Sequence, residues 1–134
     1  MAGDMQPMKN LQILIAEDEA DVRKLLIDAF ELSGFDVVGV EDGAEAVTEA
    51  TKLLPDLVLL DVRMPNMTGF EACKVLKAQE STKQIPVVFL SAYGQEAEVK
   101  TGLQLGAEDY LLKPFAIHEL VWRIKKILNE YGKT

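Results

Sequence analysis

Leu57-Val58-Leu59-Leu60-Asp61 is a run of aliphatic residues closed by a carboxylate. A run so short and wholly apolar reads as a strand covered on both faces, as in a parallel sheet. The same design recurs on either side of it. Glu17-Asp18 follow Leu11-Gln12-Ile13-Leu14-Ile15-Ala16, Ser91 follows Val87-Val88-Phe89-Leu90, and Lys113-Pro114 follow Tyr110-Leu111-Leu112. Ligands of an open parallel sheet bind outside the carboxyl ends of its strands. The strand ends here would gather carboxylates, a hydroxyl and an amine on one edge. Such a set can hold a divalent cation and a phosphoryl group.

Between the runs the spacing turns helical. β1 is expected over 11–16 and α1 from about Ala20 to Leu32, with Val22, Leu25, Leu26, Ala29 and Phe30 inward. Gly34 stops it, and β2 follows over Asp36 to Val40. Asp42 caps α2, whose inward residues are Val47, Ala50 and Leu54 and which ends before Pro55. β3 takes 57–60, then 62–67 form a loop, and Thr68-Gly69-Phe70-Glu71 is a capping box that opens α3. Pro86 introduces β4. α4 runs from Gln95 to Leu105 and stops at Gly106; β5 is 109–112. α5 carries the cleanest stripe: Ile117, Leu120, Val121, Ile124, Ile127, Leu128 and Tyr131. Regular βα alternation predicts a three-layer α/β fold with a five-stranded parallel sheet and helices on both faces.

Composition narrows the class. The chain has 134 residues, 49% of them hydrophobic, enough for one domain with one core. Met1 to Met8 read as a loose tail, 9–131 as the domain, and 132–134 as an end or the start of a linker. No apolar run approaches the roughly 18 residues of a membrane span, and the N-terminus lacks the basic start and apolar stretch of a signal peptide. The lone Cys73 permits no intramolecular disulfide and fits a reducing cytoplasm. A net charge of −8 argues against nucleic-acid binding by this chain itself, because phosphate contacts need clustered Lys and Arg.

Asp61 could be a nucleophile toward phosphorus or simply a cap for the loop behind it. Glu17 and Asp18 favour the first reading, because converging acids need a cation between them. Mg²⁺ suits oxygen donors and keeps several waters. Favourable placement at the start of α1 is the other explanation for Glu17-Asp18. Ser91 offers a hydroxyl donor, or else the N-cap of α4. Lys113 offers a point charge for phosphoryl oxygens, and a cis Lys113-Pro114 bond would aim it over the pocket. His118, Glu96 and Glu98 read as solvated, Cys73 as a small packed residue, and Trp122 as a half-buried flank of α5.

With Glu17-Asp18, Asp61 in Asp-Val-Arg-Met-Pro-Asn-Met-Thr-Gly, Ser91-Ala92, and Tyr110-Leu-Leu-Lys113-Pro114-Phe115 in order, the chain resembles the receiver domain of two-component response regulators from about Lys9 to Tyr131. The resemblance implies a flavodoxin-like sheet of order 2-1-3-4-5. It implies that Asp61 accepts a phosphoryl group from a sensor histidine kinase or a histidine phosphotransfer protein. Mg²⁺, with Mn²⁺ as a substitute, would be held by Asp18, Asp61 and the backbone carbonyl of Arg63, with Glu17 acting through water. Ser91 and Lys113 would contact the phosphoryl oxygens, and Ser91 and Tyr110 would be the switch residues. The chain would then be a stoichiometric phosphoacceptor that assists its own phosphorylation and dephosphorylation, not an enzyme. The switched surface would be the α4-β5-α5 face, where a phosphorylation-linked homodimer is expected. A degenerate receiver that only binds protein is one alternative. A haloacid-dehalogenase-like phosphatase is another, but it needs a second acid where Arg63 stands.

Overall fold

The computed structural model describes residues 10–133 and gives the element order β1 Gln12–Ala16, α1 Ala20–Leu32, β2 Asp36–Val40, α2 Gly43–Leu53, β3 Leu57–Asp61, α3 Gly69–Ala78, β4 Val87–Ser91, α4 Glu96–Gln104, β5 Asp109–Leu112 and α5 Ile117–Glu130. The tail expected over 1–8 lies outside the described residues. All pairings are parallel, in the order β2-β1-β3-β4-β5. This is the flavodoxin-like arrangement expected above.

The two-residue period of the strands divides the core. Ile13, Ile15, Leu57, Leu59, Val88 and Leu90 pack under α1 and α5 against Leu26, Phe30, Leu120, Ile124 and Leu128. Leu14, Val58, Leu60, Val87 and Phe89 face the opposite layer, with Ala46, Ala50, Ala72 and Leu76 of α2 and α3. Each Leu, Ile, Val or Phe among them contributes about 1.5–3 kcal/mol by leaving water. β3 is central and buried at every position, so the carboxylate ending it sits at the rim of the best-packed part of the molecule.

Several local expectations hold and some do not. Asp42 caps α2 through Glu45 N, and Thr68 and Glu71 form the capping box of α3. Leu25, however, is 52% exposed: with Leu26 and Phe30 at the centre of the α1 contact, it lies 100° round the helix. Leu54 is 53% exposed because it is the left-handed C-cap of α2 (φ 49°), which carries it off the helical stripe. Tyr131 is likewise the C-cap of α5 and exposed, rather than the last inward residue. Its hydroxyl donates to Glu108. Ser91 is not the N-cap of α4, which starts after Gln95 without a side-chain cap. Trp122 is 62% exposed rather than half-buried.

Candidate functional site

The site is built where β1, β3, β4 and β5 end. Glu17 directly follows β1, and its backbone N–H donates to Val40 of the neighbouring edge strand at 3.0 Å. Arg23 donates to the Glu17 carbonyl at 2.8 Å. Glu17 is therefore held inward and is 1% exposed, whereas Asp18, one residue on, is exposed. Asp61 is 7% exposed. Carboxylate oxygens of Glu17, Asp18 and Asp61 lie within 4.8 Å of one another.

Lys113 reaches into this cluster from the end of β5. Its Nζ is 2.6 Å from Glu17 Oε1 and 3.3 Å from Asp61 Oδ2. Its backbone N–H donates to the Ser91 carbonyl at 2.8 Å, and the bond to Pro114 is cis. Burial pushes the Glu17 carboxyl up to about 7, and the Asp61 charge pushes the same way, against the pull of Lys113. Burial opposes charge on Lys113 too, but its hydrogen bond to Glu17 and the charge of Asp61 hold it above its ordinary value. One lysine shared among three acids leaves an excess of negative charge. Hard oxygen donors in that state, with Asp18 open to water, fit Mg²⁺.

The loop after β3 is fixed from below. Asp42 is buried and accepts from Asn66 Nδ2 at 2.7 Å. Gly69 N–H donates to Val62 at 2.8 Å. A Cβ on Gly69 would fall 2.1 Å from the Asp61 carbonyl oxygen, so only glycine lets α3 return this close to the end of β3. Gly69 and Asn66 were not among the residues expected at the site. The sequence places Asn66 in the loop over 62–67 and Gly69 in the capping box of α3, but nothing in it shows that Gly69 backs onto Asp61.

Ser91 is fully buried and its Oγ accepts from the Tyr93 N–H at 3.0 Å. Tyr110 is 8% exposed; its ring lies 6.0 Å from Phe89, and its hydroxyl donates to the Tyr93 carbonyl at 2.6 Å. Burial raises its pKa. Tyr110 thus occupies the interior next to Ser91 with Asp61 unmodified. The Arg63 side chain lies against Tyr93 and Glu98. Its guanidinium stacks 4.0 Å over the Tyr93 ring, and Nη2 is 2.9 Å from Glu98 Oε1. Glu98 is therefore a partly buried ion-pair partner, not the solvated residue expected. His118 is exposed, as expected, and Cys73 is fully buried with its thiol raised to about 11 by burial.

Comparison with known proteins agrees with this fold. Residues 13–125 match the family model described as "Response regulator receiver domain". The chain is 43% identical over 118 residues to the phosphate regulon transcriptional regulatory protein PhoB of Klebsiella pneumoniae, covering 88% of this chain and 52% of that one. It is 40% identical over 123 residues to the transcriptional regulatory protein PrrA of Mycobacterium tuberculosis, covering 92% and 52%. The chain thus spans about half the length of these curated relatives. Among solved structures it superposes on the Francisella response regulator 1452 receiver domain with a TM-score of 0.85 at 31% identity, covering 91% and 99%. Chemotaxis response regulator CheY4 of Vibrio cholerae gives a TM-score of 0.84 at 28% identity, covering 89% and 99%.

Proposed function

The chain belongs to the response regulator receiver family, the signalling domains of two-component systems, and on that premise we propose that it accepts a phosphoryl group on Asp61 and switches its α4-β5-α5 face in response. The convergence of Glu17, Asp18, Asp61 and Lys113 on one sheet edge carries this reading. Membership implies a histidine kinase partner; a histidine phosphotransfer protein would be an equivalent donor. The phosphorus–nitrogen bond of phosphohistidine breaks as an Asp61 Oδ–phosphorus bond forms. Little covalent work falls on the protein, and positioning and charge neutralisation supply most of the catalysis. Lys113 already lies within reach of the acceptor and would turn from Glu17 to the phosphoryl oxygens, where Ser91 would donate its hydroxyl.

Asp18, Asp61 and the Arg63 carbonyl would ligate Mg²⁺, and Glu17 would act through water. The ion would neutralise the acids and the incoming phosphoryl charge. Because Tyr110 reaches its interior position without modification, phosphorylation would act by shifting a population, drawing Ser91 toward the new oxygens and repacking the loop that carries Tyr93. Among the described residues no helix is long and apolar enough to cross a membrane. The proposed setting is the cytoplasm.

Incubation with acetyl phosphate and Mg²⁺, followed by intact-mass measurement, tests the assignment. One added phosphoryl per chain supports a receiver. Continued turnover of donor by an unlabelled protein would indicate a phosphatase, and no labelling a degenerate binding module.

Arg63 and Tyr93 stand two residues after Asp61 and Ser91, and their stacking closes the gap between the loops that follow β3 and β4. In the proposed mechanism an attacking water enters between these loops, so the phosphorylated form should be long-lived. Arg63→Asn with Tyr93→Glu is expected to hasten loss of the phosphoryl group about tenfold, or 1.4 kcal/mol in the barrier. Decay no faster than in the parent chain would refute the obstruction.

Phosphorylation should also change self-association. Arg123 pairs with Asp109 at 2.9 Å and Tyr131 with Glu108 within one copy, so a two-fold contact would exchange these partners between copies. Exposed Trp122 offers an aromatic anchor. Ultracentrifugation with beryllofluoride should show a dimer that Arg123→Glu weakens. A monomer in both states, or a dimer indifferent to that change, would reduce these charges to solvated pairs worth little.

A further inference from the structure

Glu98 is the one acid of α4 drawn out of solvent. It sits in the first turn, where a carboxylate suits the helix N-terminus. That placement alone does not explain its side chain. Oε1 pairs with Arg63 at 2.9 Å, while Oε2 is buried with no hydrogen-bond partner among the described residues. A glutamate whose only role was solubility would keep both oxygens wet, since burying an unsatisfied carboxylate oxygen is costly. Here the second oxygen is given up so that the first can hold a guanidinium.

Arg63 needs holding. Its side chain is 58% exposed, on a loop, and an arginine in such a place samples many rotamers. Two contacts confine it. The Tyr93 ring lies under the guanidinium at 4.0 Å, and the Glu98 carboxylate fixes its edge. Tyr93 is in turn held from the interior by the Tyr110 hydroxyl on its carbonyl and by its own N–H on Ser91. These contacts make a continuous stack, Glu98 to Arg63 to Tyr93, whose inner support is the pair of switch residues. Because β3 and β4 are neighbours with Asp61 opposite Leu90, the stack spans the loops that flank the Asp61 carboxylate.

We propose that Glu98 is a positioning residue that keeps Arg63 closed over Tyr93 and so sets the lifetime of phosphorylated Asp61. The proposal rests on the phosphoacceptor role proposed above. In the reaction concerned, a water oxygen attacks phosphorus and the Asp61 Oδ–phosphorus bond breaks. Inorganic phosphate and the free carboxylate result, and the water's proton passes to solvent. Glu98 touches none of these atoms. It acts by holding Arg63, and therefore only while residue 63 is an arginine.

The test is the decay of the phosphorylated chain after labelling with acetyl phosphate and removal of the donor. Glu98→Gln should hasten decay about threefold, the scale of one partly exposed ion pair. Glu98→Lys, which repels the guanidinium, should hasten it further. In an Arg63→Asn background, Glu98→Gln should have no further effect. Equal lifetimes of parent and Glu98→Lys would overturn the proposal. So would accelerations that simply multiply in the double variant, since Glu98 would then act on something other than Arg63. Absence of any labelling in the parent chain would instead overturn the phosphoacceptor reading, and this inference with it.

Discussion

Asp61→Asn should abolish phosphorylation while leaving the chain folded. Asparagine has the shape of aspartate, so the buried end of β3 keeps its packing. The amide, however, cannot form the acyl phosphate that the carboxylate forms. Removing the charge also removes one of the causes that raise Glu17, so Glu17 should ionise more readily and pair more firmly with Lys113. Two measurements check this together. Intact mass after acetyl phosphate and Mg²⁺ should show no adduct, and thermal unfolding without metal should occur no lower than in the parent. Undiminished labelling would move the acceptor elsewhere in the acidic cluster.

The parts of this site that the sequence disclosed are those fixed by strand position. Glu17, Asp61, Ser91 and Lys113 each end an apolar run, and parallel packing leaves a residue so placed nowhere to go but the carboxyl edge. The sheet order came from family resemblance, because alternation alone does not order strands. Contacts made by loops were not legible. That Gly69 backs onto the Asp61 carbonyl, that Asp42 holds Asn66, and that Glu98 reaches Arg63 across the 35 positions separating them all depend on how the loops close, and no periodicity encodes that. Leu25 and Leu54 failed for a related reason. A hydrophobic stripe marks which residues could face inward, but packing of Leu26 and Phe30, and the left-handed turn at Leu54, decide which do.

The strain left by these acids should be visible as a coupling between pH and metal. Glu17 titrates near 7 in the metal-free fold, against about 4.5 in an unfolded chain. The folded state therefore binds more protons between these values, and stability must fall as pH rises through that window. The stabilisation from holding Glu17 protonated is complete below about pH 4.5 and is gone above about pH 7. One pKa unit is worth about 1.4 kcal/mol, so Glu17 alone would account for about 1–3 kcal/mol once its pairing with Lys113 is allowed for. Mg²⁺ binds the ionised cluster, so it should raise the unfolding temperature more at pH 8 than at pH 5. Glu17→Gln should flatten the metal-free pH dependence by removing the group that titrates. Asp18→Ala should cost more of the Mg²⁺ response than Glu17→Ala, because Asp18 is the proposed direct ligand and Glu17 acts through water. Unfolding followed by circular dichroism from pH 5 to 8, with and without Mg²⁺, reads all three effects. A metal-free stability that rises with pH across this range would reverse the sign required of a buried, proton-holding Glu17. A larger loss of Mg²⁺ response in Glu17→Ala than in Asp18→Ala would exchange their roles.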